Sequence, residues 1–143
     1  MPITIRIFDA VRTMQNVAPI VEKRTIFRLA QHTFDESQKG AGRHNKTGAL
    51  LQSLYNRPTG SGRAVGHDTQ RAPHAEFVLL GARPHKIVPN KRKALRWAKG
   101  GKFFFAKVVN HPGNKADPYL FMAGDAALRQ FATFVDQSLR EVP

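Results

Sequence analysis

The sequence predicts an α+β fold: long N-terminal and C-terminal helices packed on a central antiparallel β-sheet with extended loops. Three observations point there. Apolar residues recur at helical spacing near both ends of the chain, and the middle is rich in short alternating runs. Those runs are separated by Gly- and Pro-containing turns rather than by helices, which favours antiparallel hairpins over a parallel sheet. At 143 residues with no domain linker, repeat or low-complexity tract, the chain reads as a single domain over 1–143.

The elements follow in order. "ITIRIF" (3–8) alternates and predicts a short strand. Residues 13–36 predict a long helix with Val17, Ile20, Phe27, Ala30 and Phe34 on one stripe, and Pro19 either opens its main part or kinks an earlier turn. "SQKGAGRHNK" (37–46) reads as a basic loop, and "TGALLQSL" (47–54) as a short helix capped by Thr47. "LYNRP" and "RAVGH" flank "TGSG" as a hairpin or extended loop. "HAEFVLLGA" (74–82) predicts one or two helical turns ending at Gly81, and "HKIVP" (85–89) a strand. "KALRWA" (93–98) and "KFFFAKVV" (102–109) straddle "KGG" as a second hairpin. Residues 110–118 read as a loop. The final helix starts near Pro118 with Asp117 as its cap, on the stripe Leu120, Phe121, Gly124, Leu128, Phe131, Val135, Leu139.

Charge is the one unusual total. There are 23 Lys and Arg against 10 Asp and Glu, a net of +13. Residues 38–116 hold sixteen of the basic residues and only two acids, Asp68 and Glu76, and no acid occurs from Phe77 to Ala116. Such a field attracts polyanions and acidic protein surfaces. There is no Cys, which removes disulfides, thiolate catalysis and zinc–thiolate sites and suits a reducing cytosol. No run approaches a membrane span and no secretory signal is visible, so no membrane partner is expected.

The search for chemistry is thin. Ser37, Ser53, Ser61 and Ser138 carry no nucleophile motif, and the glycines match neither a phosphate-cradling loop nor a dinucleotide fingerprint. His67 and Asp68 with His74 and Glu76 could offer a divalent site, but they read better as polar loop residues beside a short helix. His44, Asn45, His111 and Asn114 loosely resemble a His/Asn nuclease set without its spacing. The expectation is a protein that is not an enzyme and takes no cofactor or metal.

The basic tract is the strongest local signal. Lys91, Arg92, Lys93, Arg96, Lys99 and Lys102 are candidate contacts to DNA phosphates or to an acidic partner. Trp97, Phe103, Phe104 and Phe105 are either stacking surfaces or anchors. Strand alternation places aromatics on both faces of the hairpin, which fits a core or inter-subunit role better than a one-sided stacking platform.

Several stretches in order resemble one family, the head–tail joining and tail-completion proteins of long-tailed, lambda-like phages, across about residues 12–141. "TGALLQSL" (47–54) is similar to their Thr-Gly-x-Leu-x-x-Ser segment. "APHAEFVLLGARPHKIVP" (72–89) resembles the next block, a short helix leading into Pro-His-x-Ile-x-Pro, with a longer "FVLLG" after Glu76. "ALRW" and "FFFAKVVNHPGNKADPYL" (94–97 and 103–120) resemble an aromatic strand pair, a His-Pro-Gly loop and a Pro-opened final helix. The resemblance implies a structural virion protein of the neck or upper tail, assembled in the bacterial host cytoplasm. It would form a homo-oligomeric ring, a hexamer or dodecamer, that joins tail to head or terminates the tail around the DNA channel. Its partners would be other neck, connector or tail-tube proteins, with packaged DNA inside the channel. Arg43, His44, Lys46, Arg63, His111 and Asn114, in the loops at 37–46, 58–63 and 110–117, are candidate docking contacts. A second reading stays open: a nucleic-acid-binding module acting through the Lys/Arg-rich 83–107 region.

Overall fold

The computed structural model describes residues 7–44, 46–60 and 62–142, with side chains from Gln15 onward. The α+β class is as expected, with helices at both ends and antiparallel strands between them. The chain forms two compact units. One comprises the residues up to Pro73 together with those from Tyr119 on, and the other is His74–Pro118.

In the first unit, α1 (Ile7–Gly42) is the spine. It runs further than expected in both directions. Ile7 and Phe8 of the anticipated strand are helical, while residues 3–6 lie outside the described residues. At the other end the expected loop at 37–46 is helical as far as Gly42. Pro19 sits inside the helix, where it removes one i→i−4 bond without ending it. The face that α1 buries is not the expected stripe. Phe27 and Ile20 are exposed, and the buried ridge is Thr25, Ala30, Ser37, Gly40 and Ala41. Small residues win because the partners come close. The Ser37 hydroxyl donates to the Thr33 carbonyl at 2.6 Å, so its burial leaves no polar group unpaired.

Two helices, α4 (Tyr119–Arg129) and α5 (Phe131–Arg140), return along α1. They replace the single final helix expected from the sequence, with Gln130 at the break. Their direction follows from their partners on α1: Tyr119 lies at Gly40, Phe134 at His32, and Ser138 at Thr25. A Cβ added at Gly40 would overlap Cβ and Cγ of Tyr119. The crossing therefore needs glycine for its closeness. The Thr25 hydroxyl donates to Ser138 Oγ at 3.2 Å, and the Ser138 hydroxyl donates onward to the Phe134 carbonyl at 2.7 Å. At the far end Arg28 pairs with Glu141, and Arg24 donates to the Glu141 carbonyl at 2.6 Å. These surface ion pairs contribute at most about 1 kcal/mol each.

The inner face of α4 is Tyr119, Ala123 and Ala127, one residue per turn. The expected stripe holds the large residues, and it points outward: Phe121, Leu128, Phe131 and Leu139 are all at least half exposed.

The short α2 (Ala49–Ser53) starts from Gly48 in a left-handed conformation with no side-chain cap, so Thr47 does not have the capping role expected of it. It leads directly into β1 (Leu54–Thr59), which pairs antiparallel with β2 (Gly62–His67) in the expected hairpin. Tyr55 carries Arg57 over its ring at 4.4 Å, and Arg63 lies 5.1 Å over Phe27 of α1.

The second unit begins with α3 (Ala75–Leu80), two turns ending at Gly81 as expected. Then come β3 (His85–Ile87), β4 (Leu95–Lys99), β5 (Lys102–Ala106) and β6 (Val109–His111). β4 and β5 form the anticipated hairpin, with φ of 57° and 74° at Gly100 and Gly101, the two positive values that a two-residue primed turn requires. The strand β6, expected as loop, pairs with β3, so that His85 faces His111. The antiparallel strands of the whole chain are thus dealt out as three two-stranded ribbons: β1–β2, β3–β6 and β4–β5.

Gly40→Ala should destabilise the chain by about 1–3 kcal/mol through overpacking. Gly42→Ala, where a Cβ meets nothing within 4 Å, should be neutral or slightly stabilising. Urea unfolding of the two variants side by side tests the closeness of the α1–α4 crossing.

Candidate functional site

Two places gather the chemistry-bearing residues. The first is a buried polar pin in the α1-centred unit. His67, at the end of β2, lies between Ser53 of α2 and Tyr119 of α4. Ser53 Oγ is 2.7 Å from His67 Nδ1, and the Tyr119 hydroxyl is 2.7 Å from Nε2. Ser53 Oγ is also 2.7 Å from the Leu50 carbonyl. One pattern of protons satisfies all three contacts. The Tyr119 hydroxyl donates to Nε2, Nδ1–H donates to Ser53 Oγ, and the Ser53 hydroxyl donates to Leu50. The serine proton then points away from the imidazole. A nucleophile–base pair needs the opposite polarity, with the hydroxyl donating to a basic nitrogen. Ser53 and Tyr119 are almost wholly buried, and His44 stacks on the other side of Tyr119 at 6.2 Å. The arrangement therefore acts as a three-way tie between α2, β2 and α4.

The second place is the β4–β5 ribbon, where the aromatic and basic residues of the sequence come together. Trp97 faces Phe104 across the strands, and Arg96 faces Phe105. One side of the ribbon carries Leu95, Trp97, Lys99, Lys102, Phe104 and Ala106, and the other Arg96, Ala98, Phe103 and Phe105. Aromatics do occupy both sides. They are not a core of the single chain, because Trp97 and Phe104 are each 42% exposed, Phe103 60% and Phe105 67%. The anchor role expected for these four rings can therefore only be met by a surface outside the chain. Trp97 and Phe104 stack on each other at 5.9 Å and 20°, and Arg96 lies 4.5 Å over Phe103. These contacts cover part of the π-faces that bases would stack on.

Lys91, Arg92 and Lys93 precede the ribbon on a run of bends, so Lys93 is not in strand as the sequence implied. Arg96 and Lys99 belong to β4, and Lys102 to β5. All six are exposed, and none is paired with a carboxylate among the described residues. The second unit as a whole holds ten Lys and Arg against Glu76 and Asp117, a net of +8.

The candidate docking residues are held more firmly than a loop reading suggests. Arg43 and His44 form the turn that closes α1, and Lys46 is on the bend that follows. Arg63 is in β2, with Nε donating to Asn56 Oδ1 at 2.8 Å, and 58–63 is a tight hairpin rather than an open loop. His111 is in β6 and accepts the Gly113 N–H at 3.0 Å on Nδ1. Asn114 exchanges two 3.0 Å backbone bonds with Ala82, and its side-chain amide donates to the Phe77 carbonyl at 2.7 Å. His85 and His111 stack at 5.0 Å across β3–β6, a pairing that the sequence alone did not reveal. It could have been found only by knowing that 109–111 is a strand.

Among the described residues no group of three or more His, Cys, Asp or Glu side chains could hold a metal ion. His67 of the anticipated divalent set has both ring nitrogens engaged in the pin. No helix among the described residues is long and apolar enough to cross a membrane.

Tyr119→Phe should cost about 1–3 kcal/mol, because it leaves Nε2 of His67 unpaired in a mostly buried site. Ser53→Ala should cost a similar amount, and the double variant less than the sum, since both act through one imidazole. A double-mutant cycle in urea checks this. The chain matches no protein-family model, no curated protein and no solved structure.

Proposed function

We propose that the chain is a structural subunit of a phage neck or upper tail, forming a homo-oligomeric ring that joins tail to head or terminates the tail around the DNA channel. The observation that carries this reading is the β4–β5 ribbon: four large aromatic rings on both sides of an isolated two-stranded hairpin, all substantially exposed. A two-stranded ribbon is marginal alone in water. Exposed aromatics of this density belong to surfaces that another protein covers. A subunit that repeats one head-to-tail contact until it closes would supply that cover without a second gene product. The ordered resemblance of 47–54, 72–89 and 94–120 to tail-completion proteins supports the virion setting.

The second reading, nucleic-acid binding through 83–107, is favoured by one observation: the six exposed cations lie in a stretch without a single acid. The two readings separate experimentally. On the ring reading, purified chain shows a discrete oligomer by native mass spectrometry, alone or with tail-tube or connector proteins. Trp97→Ala with Phe104→Ala should then lower assembly at least tenfold while leaving the thermal midpoint of the monomer nearly unchanged, each tenfold corresponding to about 1.4 kcal/mol of contact free energy. On the nucleic-acid reading, the monomer binds DNA with a steep salt dependence that Lys91→Glu, Arg92→Glu and Lys93→Glu abolish together. A chain that stays monomeric with every such partner sinks the ring reading.

A further inference from the structure

The first unit carries a second uncovered apolar surface, and its charge differs from that of the ribbon. On α4 the outward residues Phe121, Asp125 and Leu128 share one face at steps of four and three, opposite the buried Tyr119, Ala123 and Ala127. Phe121 is 57% exposed and Leu128 63%. Residues 119–141 hold Asp125, Asp136 and Glu141 against Arg129 and Arg140, a net of −1. The ribbon lies in a unit of net +8.

We infer that the β4–β5 ribbon of one copy docks on the outward face of α4 in a second copy of this chain. The inference rests on the ring reading above and names its contact surfaces. Charge decides the pairing. Ribbon against ribbon would bring together two sets of like charges in a desolvated contact, which is costly. Helix face against helix face would leave the aromatic ribbon in water. Ribbon against α4 brings apolar rings to apolar side chains and places the cationic flank opposite Asp125. Because the two surfaces are different patches of the same chain, the contact is heterologous and repeats head to tail. The four rings, at about half exposure, present roughly 400 Å². A standard contact needs about 800 Å² per partner, so the aliphatic stems of Arg96, Lys99 and Lys102 complete the footprint.

The absence of any cysteine makes the test clean. Phe105→Cys and Leu128→Cys are made in separate chains, each checked by circular dichroism, with Phe121→Cys as a substitute if Leu128→Cys does not fold. Under mild oxidation the mixed sample should give a disulfide-linked heterodimer as its main covalent product, and each variant alone should give little. A chain with both substitutions should give a ladder of linked copies. Homodimers of Phe105→Cys alone overturn the inference in favour of ribbon–ribbon pairing. A monomer with an internal disulfide in the doubly substituted chain overturns it too, because the ribbon would then cover its own helix. If the unsubstituted chain is oligomeric by mass but no heterodimer forms, these surfaces are wrong and the ring reading stands. If it is monomeric at every concentration and with its partners, both fail.

Discussion

The close crossing of α1 and α4 at Gly40 is the contact on which the first unit depends. Tyr119 sits where a side chain at position 40 would be, and its position does two things at once. It brings the inner face of α4 against α1, and it delivers a hydroxyl to His67, which carries the tie to Ser53. Remove the closeness and the phenol moves away from the imidazole. Helix, hairpin and the short α2 are thus held by one aromatic ring that uses its body for packing and its oxygen for a directional bond.

This arrangement explains which parts of the architecture could be read from the sequence. The β1–β2 and β4–β5 hairpins, the short helix at 75–80 and the strand at 85–87 all follow from local turn chemistry and alternation, and the structure keeps them. The Gly100–Gly101 turn is the plainest case, since only its two positive φ values are needed to predict it. The helical stripes are different. Val17, Ile20 and Phe27, or Phe121, Leu128 and Phe131, have the spacing of a buried face, and in a chain that buried its own large residues they would be one. Here the inward faces are Thr25, Ala30, Ser37 and Ala41 on α1, and Ala123 and Ala127 on α4. Periodicity identifies a face but does not say which of two faces is turned inward when small residues permit the closer approach.

The sites show the same division. The aromatics on both sides of the hairpin were visible from alternation alone. Their exposure was not, because it depends on what the rest of the chain leaves uncovered. The pin was hidden for another reason. Ser53, His67 and Tyr119 are separated by 14 and 52 residues, and no spacing rule links them. Arg63 and Asn114 looked like loop residues because the segments around them are rich in Gly and Pro. They are instead fixed by backbone pairing that turn composition does not encode.

The alanine-rich interior also bears on how the chain responds to temperature. Among the described residues, six of the ten buried hydrophobic side chains are alanine. Heat capacity of unfolding rises with the apolar surface newly exposed to water, and an interior of methyl groups has little to expose. A single copy should therefore have a flat stability curve, with no deep optimum and a gentle decline on warming. Steeper, more cooperative melting would arrive only with whatever covers the rings of Trp97 and its neighbours, and it would then depend on protein concentration.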